Sequence, residues 1–157
     1  MARDSQVILT NMCLVENDQG QFVMQIRSPE RYAWDGAALP GGHVENKESL
    51  HASVVREIFE ETGLTISNPE LVGVKHFHTR GDGIRYLVFL YRTAEFTGEI
   101  QSSEEGEVVW VSREDIASGK VELADSMGDM LDFYFEENAS ELFYERDADD
   151  ILQRVFL

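Results

Sequence analysis

Residues 42–64 read GHVENKESLHASVVREIFEETGL, and this stretch constrains the chain more than any other. Gly42 is followed after five residues by Glu48 and after seven more by Arg56-Glu57-Ile58; Glu60-Glu61 and Gly63-Leu64 then follow, each after a gap of one residue. Pro40-Gly41-Gly42 cannot continue regular structure, whereas residues 48–62 are rich in good helix formers and Gly63 stands where a helix can end in the left-handed conformation. The segment is therefore predicted to be a loop running into a helix, with Asn46 as the N-cap. At roughly 100° per residue, Glu57, Glu60 and Glu61 share an arc of about 100° beside an apolar stripe of Leu50, Val54 and Ile58.

Three carboxylates on one helix edge repel and raise one another's pKa unless something positive lies between them. The donors here are all oxygen, with no Cys or His at zinc-like spacing. That points to a hard ion, Mg²⁺ or Mn²⁺, which shares its shell with water and substrate phosphates. The chemistry that follows is hydrolysis at phosphorus: the ion neutralises charge on the departing oxygen and acidifies water, and a carboxylate accepts the proton. An isolated EIFEE is ordinarily a solvated acidic face. The spacing of the whole stretch, with its Leu39-Pro40-Gly41-Gly42 lead-in, argues for a cation site instead. A calcium loop does not compete, because no run, Asp147-Ala148-Asp149-Asp150 included, has alternating ligands around a central glycine.

The pattern G-x5-E-x7-R-E-U-x-E-E-x-G-U, with U aliphatic, resembles the Nudix box at every defined position. The chain is thus similar to the Nudix hydrolase family, and within it to the MutT-like, 8-oxo-dGTP diphosphatase-type branch. The resemblance runs from the first predicted strand to about Trp110. It implies an α/β fold, an α/β/α sandwich with a mixed β-sheet, and a metal-dependent pyrophosphohydrolase that splits a (deoxy)nucleoside triphosphate into monophosphate and pyrophosphate. The substrate characteristic of that branch is 8-oxo-dGTP.

Residue by residue, the resemblance implies Glu57 as general base or metal ligand, Glu60 and Glu61 as metal ligands, the Gly41 carbonyl as a further ligand, and Arg56 as the orienter of the glutamates. Glu48 takes a supporting position. Ahead of Trp110, Glu104 matches best by distance as an added ligand or base, with Glu105 and Glu107 as competitors. Asn11 on the first strand and Asp125 at the start of the late helix are candidates to contact the nucleotide base. Their alternatives are a strand residue paired to backbone and a helix N-cap. Related hydrolases of ADP-ribose or dinucleoside polyphosphates are a weaker match: the only prolines are Pro29, Pro40 and Pro69, and the first tyrosine after the box is Tyr86. A non-catalytic nucleotide-sensing module would tolerate loss of the box glutamates, which are all present here.

The 157 residues suit one domain, 1–157, and 43% hydrophobic residues can fill one core. A net charge of −17 argues against a nucleic-acid polymer or an anionic membrane as partner, while a free nucleotide can still be held by the ion and a few local cations. Cys13 is the single cysteine and sits in an apolar run, as a core thiol would. Met1-Ala2-Arg3-Asp4-Ser5 lacks the apolar centre of a signal peptide, and no run approaches the ~20 apolar residues of a membrane span. A cytoplasmic monomer or homodimer acting on nucleotides is the expectation. Strands are predicted at 7–15 and 22–26, joined by a turn as a hairpin or near neighbours, and at 37–39, 71–78, 84–93 and 108–111. Short helical turns follow Ser112, and an amphipathic helix spans 125–136.

Overall fold

The computed structural model describes residues 3–27, 36–136 and 138–157. The sequence between the second and third predicted strands, with Pro29 and Trp34, reads as a loop from Ser28 to Gly36, and all of it but Gly36 lies outside the described residues. Strands β1 (Val7–Val15), β2 (Phe22–Arg27) and β3 (Gly36–Ala38) lead to α1 (Leu50–Thr62). Then come β4 (Thr65–Ser67), β5 (Glu70–His78), β6 (Arg85–Thr93), β7 (Glu95–Thr97) and β8 (Glu107–Val111). The chain ends with α2 (Arg113–Ala117), α3 (Met127–Phe135), β9 (Glu141–Arg146) and β10 (Leu152–Phe156). Among the described residues, no helix is long and apolar enough to cross a membrane.

The central layer is a mixed five-stranded sheet in the order β1-β6-β5-β9-β10. β1 and β6 run parallel, as do β5 and β9, while β5–β6 and β9–β10 are antiparallel. β3-β2-β8 form a second, antiparallel sheet, and β4 pairs with β7. The turn after β1 does not make the expected β1–β2 hairpin: the two strands meet only at the bridge Glu16↔Phe22 before entering different sheets. Both edges of β1 are in use, one by β6 and the other by residues 40–44.

Side chains alternate along each strand into two cores, which is why these strands read as apolar on both faces. Leu14, Phe22, Met24, Val88 and Leu90 meet Met127, Met130 and Leu131 of α3. Cys13, Val15, Val23 and Tyr91 meet Val54 and Ile58 of α1. The result is the expected α/β/α layering. Burial pushes the Cys13 thiol up to about 12, so it serves as a small apolar core residue and not as a nucleophile.

Helix α1 begins later than the sequence suggests. Its N-cap is Ser49, whose hydroxyl accepts from the Ala52 amide at 3.0 Å, in place of Asn46. Lys47, at φ 64°, turns the chain before any helix can form, and the Glu48 carboxylate caps the Glu45 amide at 2.9 Å. Gly63, at φ 81°, ends the helix as predicted and donates its amide to the Phe59 carbonyl at 2.9 Å.

Candidate active site

The glycine loop is stitched to the free edge of β1. The amides of Asn11 and Cys13 donate to the carbonyls of Gly42 and Pro40 at 2.8 and 3.1 Å, and the Val44 amide donates to the Leu9 carbonyl at 2.9 Å. A Cβ on Gly41 would run into the Asn11 carbonyl, and one on Gly42 into the Glu57 carboxyl. Gly41 therefore requires glycine for space, because the atom it would meet is backbone, whereas at Gly42 the Glu57 carboxyl would have to swing out of its place. The Pro40 and Gly42 carbonyls are engaged by β1, whereas among the described residues no backbone amide donates to the Gly41 carbonyl between them.

Asn11 is buried at 2% exposure and locks this arrangement. Its Nδ2 donates to Ser53 Oγ of α1 at 2.8 Å, and its Oδ1 accepts from the Gly42 amide at 3.3 Å. Asn11, expected to contact the nucleotide base, is thus engaged through both side-chain groups by loop and helix, and it also lines the cleft described below. Asn11 points to the α1 side of β1 and holds loop to helix, whereas its neighbours Thr10 and Met12 share the opposite face with Val88 and Leu90.

Arg56 gathers the acidic groups. Its Nε and NH2 donate to the two oxygens of Glu48 at 2.7 and 3.0 Å, its NH1 to Glu57 Oε1 at 2.9 Å and Glu60 Oε2 at 3.1 Å, and its NH2 also to the His43 carbonyl at 3.1 Å. This fork matches the orienting role foreseen for it and holds the Glu48 carboxyl down at about 2. Glu57 moves the other way: burial raises its pKa against the pull of Arg56.

Glu61 accepts from the Gly41 amide at 2.9 Å, yet burial lifts its carboxyl to about 7, helped by the negative charge of Glu105 and Glu57. The sign of the stability effect follows. Between 4.5, its ordinary value, and about 7, folded Glu61 holds a proton that the unfolded chain has released. Metal-free protein therefore loses stability as pH rises through that window. Melting curves in chelator will show this slope reduced in Glu61→Gln; an identical slope in both proteins would mean that Glu61 is ionised throughout.

Glu57, Glu60 and Glu61 line a cleft of about 590 Å³ together with Gly41, Gly42 and Glu105. Of the three loop glutamates considered from sequence, it is Glu105, carried there as a competitor to Glu104, that lines this cleft. Ser103 and Gly106 close a tight turn with reciprocal amide–carbonyl bonds of 3.2 Å, and the Glu105 amide donates to Ser103 Oγ at 3.2 Å. Counting back from Trp110 along a straight strand misses this turn by one position.

Among the described residues no three acidic side chains converge as ligands of one ion would. The donor set still fits a hard divalent cation. It is all oxygen, and Arg56 and Gly41 engage one oxygen each of Glu57, Glu60 and Glu61, leaving the second oxygen of each to coordinate. The burial that raises Glu57 and Glu61 is relieved by a bound cation.

Lys75 and Phe77 also line a second compartment of about 500 Å³, together with Asp125, Ser126, Tyr144 and Leu152. Asp125 is not a helix cap: Ser126, at φ 63°, precedes α3, and Asp125 faces this compartment. Phe77 stacks on Tyr86 of β6 at 5.0 Å and 11°. The sequence reading missed Lys75, Phe77, Tyr86 and Arg27, all of which line the cleft. A lysine inside a half-buried strand, two residues from an aromatic on the same face, was the available signal.

A family model, NUDIX domain, matches residues 9–133. The chain is 36% identical over 129 residues to the uncharacterized Nudix hydrolase YvcI of Bacillus subtilis (strain 168), covering 80% of this chain and 77% of that one. It is 26% identical to the 8-oxo-dGTP diphosphatase of Haemophilus influenzae over 117 residues, 74% of this chain and 85% of that one. A solved mutator MutT protein from Bacillus halodurans superimposes with a TM-score of 0.71 at 24% identity, covering 92% of this chain and 94% of that one. The match takes in the glycine loop, the acidic helix edge and the strands that hold them, and so the chain belongs to the Nudix hydrolase family and is a pyrophosphohydrolase.

Proposed function

We propose that the chain hydrolyses a (deoxy)nucleoside triphosphate, 8-oxo-dGTP or a related nucleotide, to the monophosphate and pyrophosphate. The observation that carries this reading is the adjacency of two compartments: a carboxylate-lined cleft suited to a metal and phosphates shares Lys75 and Phe77 with a more apolar space that suits a base. The similarity to an 8-oxo-dGTP diphosphatase supports the same substrate class.

Glu60, Glu61 and Glu105, with the Gly41 carbonyl, would hold Mg²⁺ or Mn²⁺. Such an ion, when bound, neutralises phosphate charge and acidifies water. Glu57 is the general base: it is half-buried, keeps one carboxylate oxygen that Arg56 does not engage, and is aligned by that arginine. Water oxygen forms the new bond to phosphorus, the bridging P–O bond breaks, and the water proton passes to Glu57 as pyrophosphate leaves. Arg27, on the cleft wall, offers a cation to the phosphate chain. Asp125 faces the base.

Pyrophosphate release by the purified protein with Mg²⁺, measured over dGTP, 8-oxo-dGTP, dATP, dCTP and ADP-ribose, tests the proposal. Turnover with monophosphate and pyrophosphate as products supports it. Turnover confined to ADP-ribose, or binding of nucleotides without turnover, overturns it.

A further inference from the structure

Lys75 stands at the seam of the two compartments and lines both. Its ammonium donates to Ser126 Oγ at 3.0 Å and reaches Met130 Sδ, a weak acceptor, at 3.8 Å. Among the described residues no carboxylate lies within ion-pair distance of it. Its other neighbours are aromatic faces, with Phe77 at 5.4 Å and Tyr144 at 5.3 Å from the charge to the ring centres. An ammonium has three donors and no acceptor capacity, so one strong acceptor is wanting here.

The wall that creates this demand lies beyond the family match, which ends at residue 133. Tyr144 of β9 donates its hydroxyl to Asp129 at 2.7 Å, and Arg154 of β10 binds Asp129 and Asp132 at 2.7 and 3.0 Å. The C-terminal hairpin is thereby clamped to α3. It sets Tyr144 and Leu152 over the compartment, and Tyr144 over the Lys75 ammonium. Burial pushes Lys75 down to about 8 against the opposing pull of Asp129, so at neutral pH it is charged but poorly satisfied.

Resting on the reading that a nucleoside triphosphate is the substrate, we infer that Lys75 is a specificity-determining residue that hydrogen-bonds an exocyclic carbonyl oxygen of the base. Bases presenting an oxo group there are preferred over bases presenting an amino group. A carbonyl supplies the missing acceptor in a charge-assisted bond. An amino group in its place sets donor against donor and leaves a desolvated cation unpaired, which discriminates far more sharply than an apolar slot. Asp125, next to the Ser126 that Lys75 bonds, is an acceptor when ionised and takes the ring N–H adjacent to such a carbonyl. Donor and acceptor together match the –C(=O)–NH– edge of an oxopurine.

The test compares dGTP and dITP, which carry the oxo group, with dATP, which carries an amino group. In wild type, kcat/KM favours dGTP and dITP. In Lys75→Met, of similar length and neutral, the ratio of kcat/KM for dGTP to that for dATP falls about 10–100-fold, with the loss carried by KM. Titration of the products dGMP and dAMP into metal-free protein gives the same ranking by affinity, without turnover and without dependence on the variant's folding. A wild-type preference for dATP, an unchanged ratio in Lys75→Met, or equal affinities for dGMP and dAMP overturns the inference. A wild type that hydrolyses none of the nucleotides overturns the proposed function instead, and the monophosphate titration still decides the role of Lys75.

Discussion

Glu57→Gln lowers kcat by roughly 10²–10⁴-fold at saturating Mg²⁺ while the fold survives, which places it among the largest effects a single change can have here. Glutamine keeps the shape of the side chain, its seat against Gly42 and an oxygen for the Arg56 bond, but it cannot take a proton from water. Circular dichroism and melting temperature close to wild type would show that the loss is chemical. The loss appears in kcat and in kcat/KM together, because proton acceptance matters in the transition state and not in substrate binding. Near wild-type turnover would remove Glu57 from this role. Glu105 is then the next base to test, since it lines the same cleft and its charge is felt by both Glu57 and Glu61.

That second choice shows where sequence spacing works and where it stops. The acidic edge of α1 was legible because helix periodicity is fixed: once residues 50–62 are helical, Glu57, Glu60 and Glu61 must share a side, and Gly63 must stop the helix. Positions set by irregular backbone were not legible to the residue. Lys47 in a left-handed conformation moved the cap from Asn46 to Ser49, and the turn at 103–106 moved the cleft-facing glutamate from Glu104 to Glu105.

Long-range pairing was also hidden. β4 and β7, three residues each, are too short for alternation to register, and β9 and β10 lie in a charged stretch that reads as solvated surface. Lys75 and Tyr144 meet only because β9 joins β5 in parallel, a contact between residues far apart in the chain. Asn11 stands out in sequence as a polar residue in an apolar strand. Its partners Gly42 and Ser53, one on the loop and one on α1, could not be read from the strand pattern.

Arg56 offers the other large effect, and it separates charge from geometry. One guanidinium serves both oxygens of Glu48, one oxygen each of Glu57 and Glu60, and the His43 carbonyl, so a planar fork with several fixed donors is what the site uses. Arg56→Ala leaves those carboxylates repelling one another and free to rotate, and the Mg²⁺ concentration giving half-maximal rate rises about 10–100-fold, as when a partner that orients metal ligands is removed. The rise in melting temperature with Mg²⁺ shrinks in parallel, because an ion bound only to the folded state stabilises it in proportion to RT ln(1 + [M]/Kd). NaCl at matched ionic strength is the control, since it screens the overall charge of −17 without occupying a site. Arg56→Lys is the decisive variant. If charge alone held the glutamates, lysine would restore wild-type Mg²⁺ dependence, because the net charge is unchanged. A compact ammonium cannot reach Glu48, Glu57, Glu60 and the His43 carbonyl at once, so Arg56→Lys recovers little of the loss, and the metal response tracks the geometry of the fork.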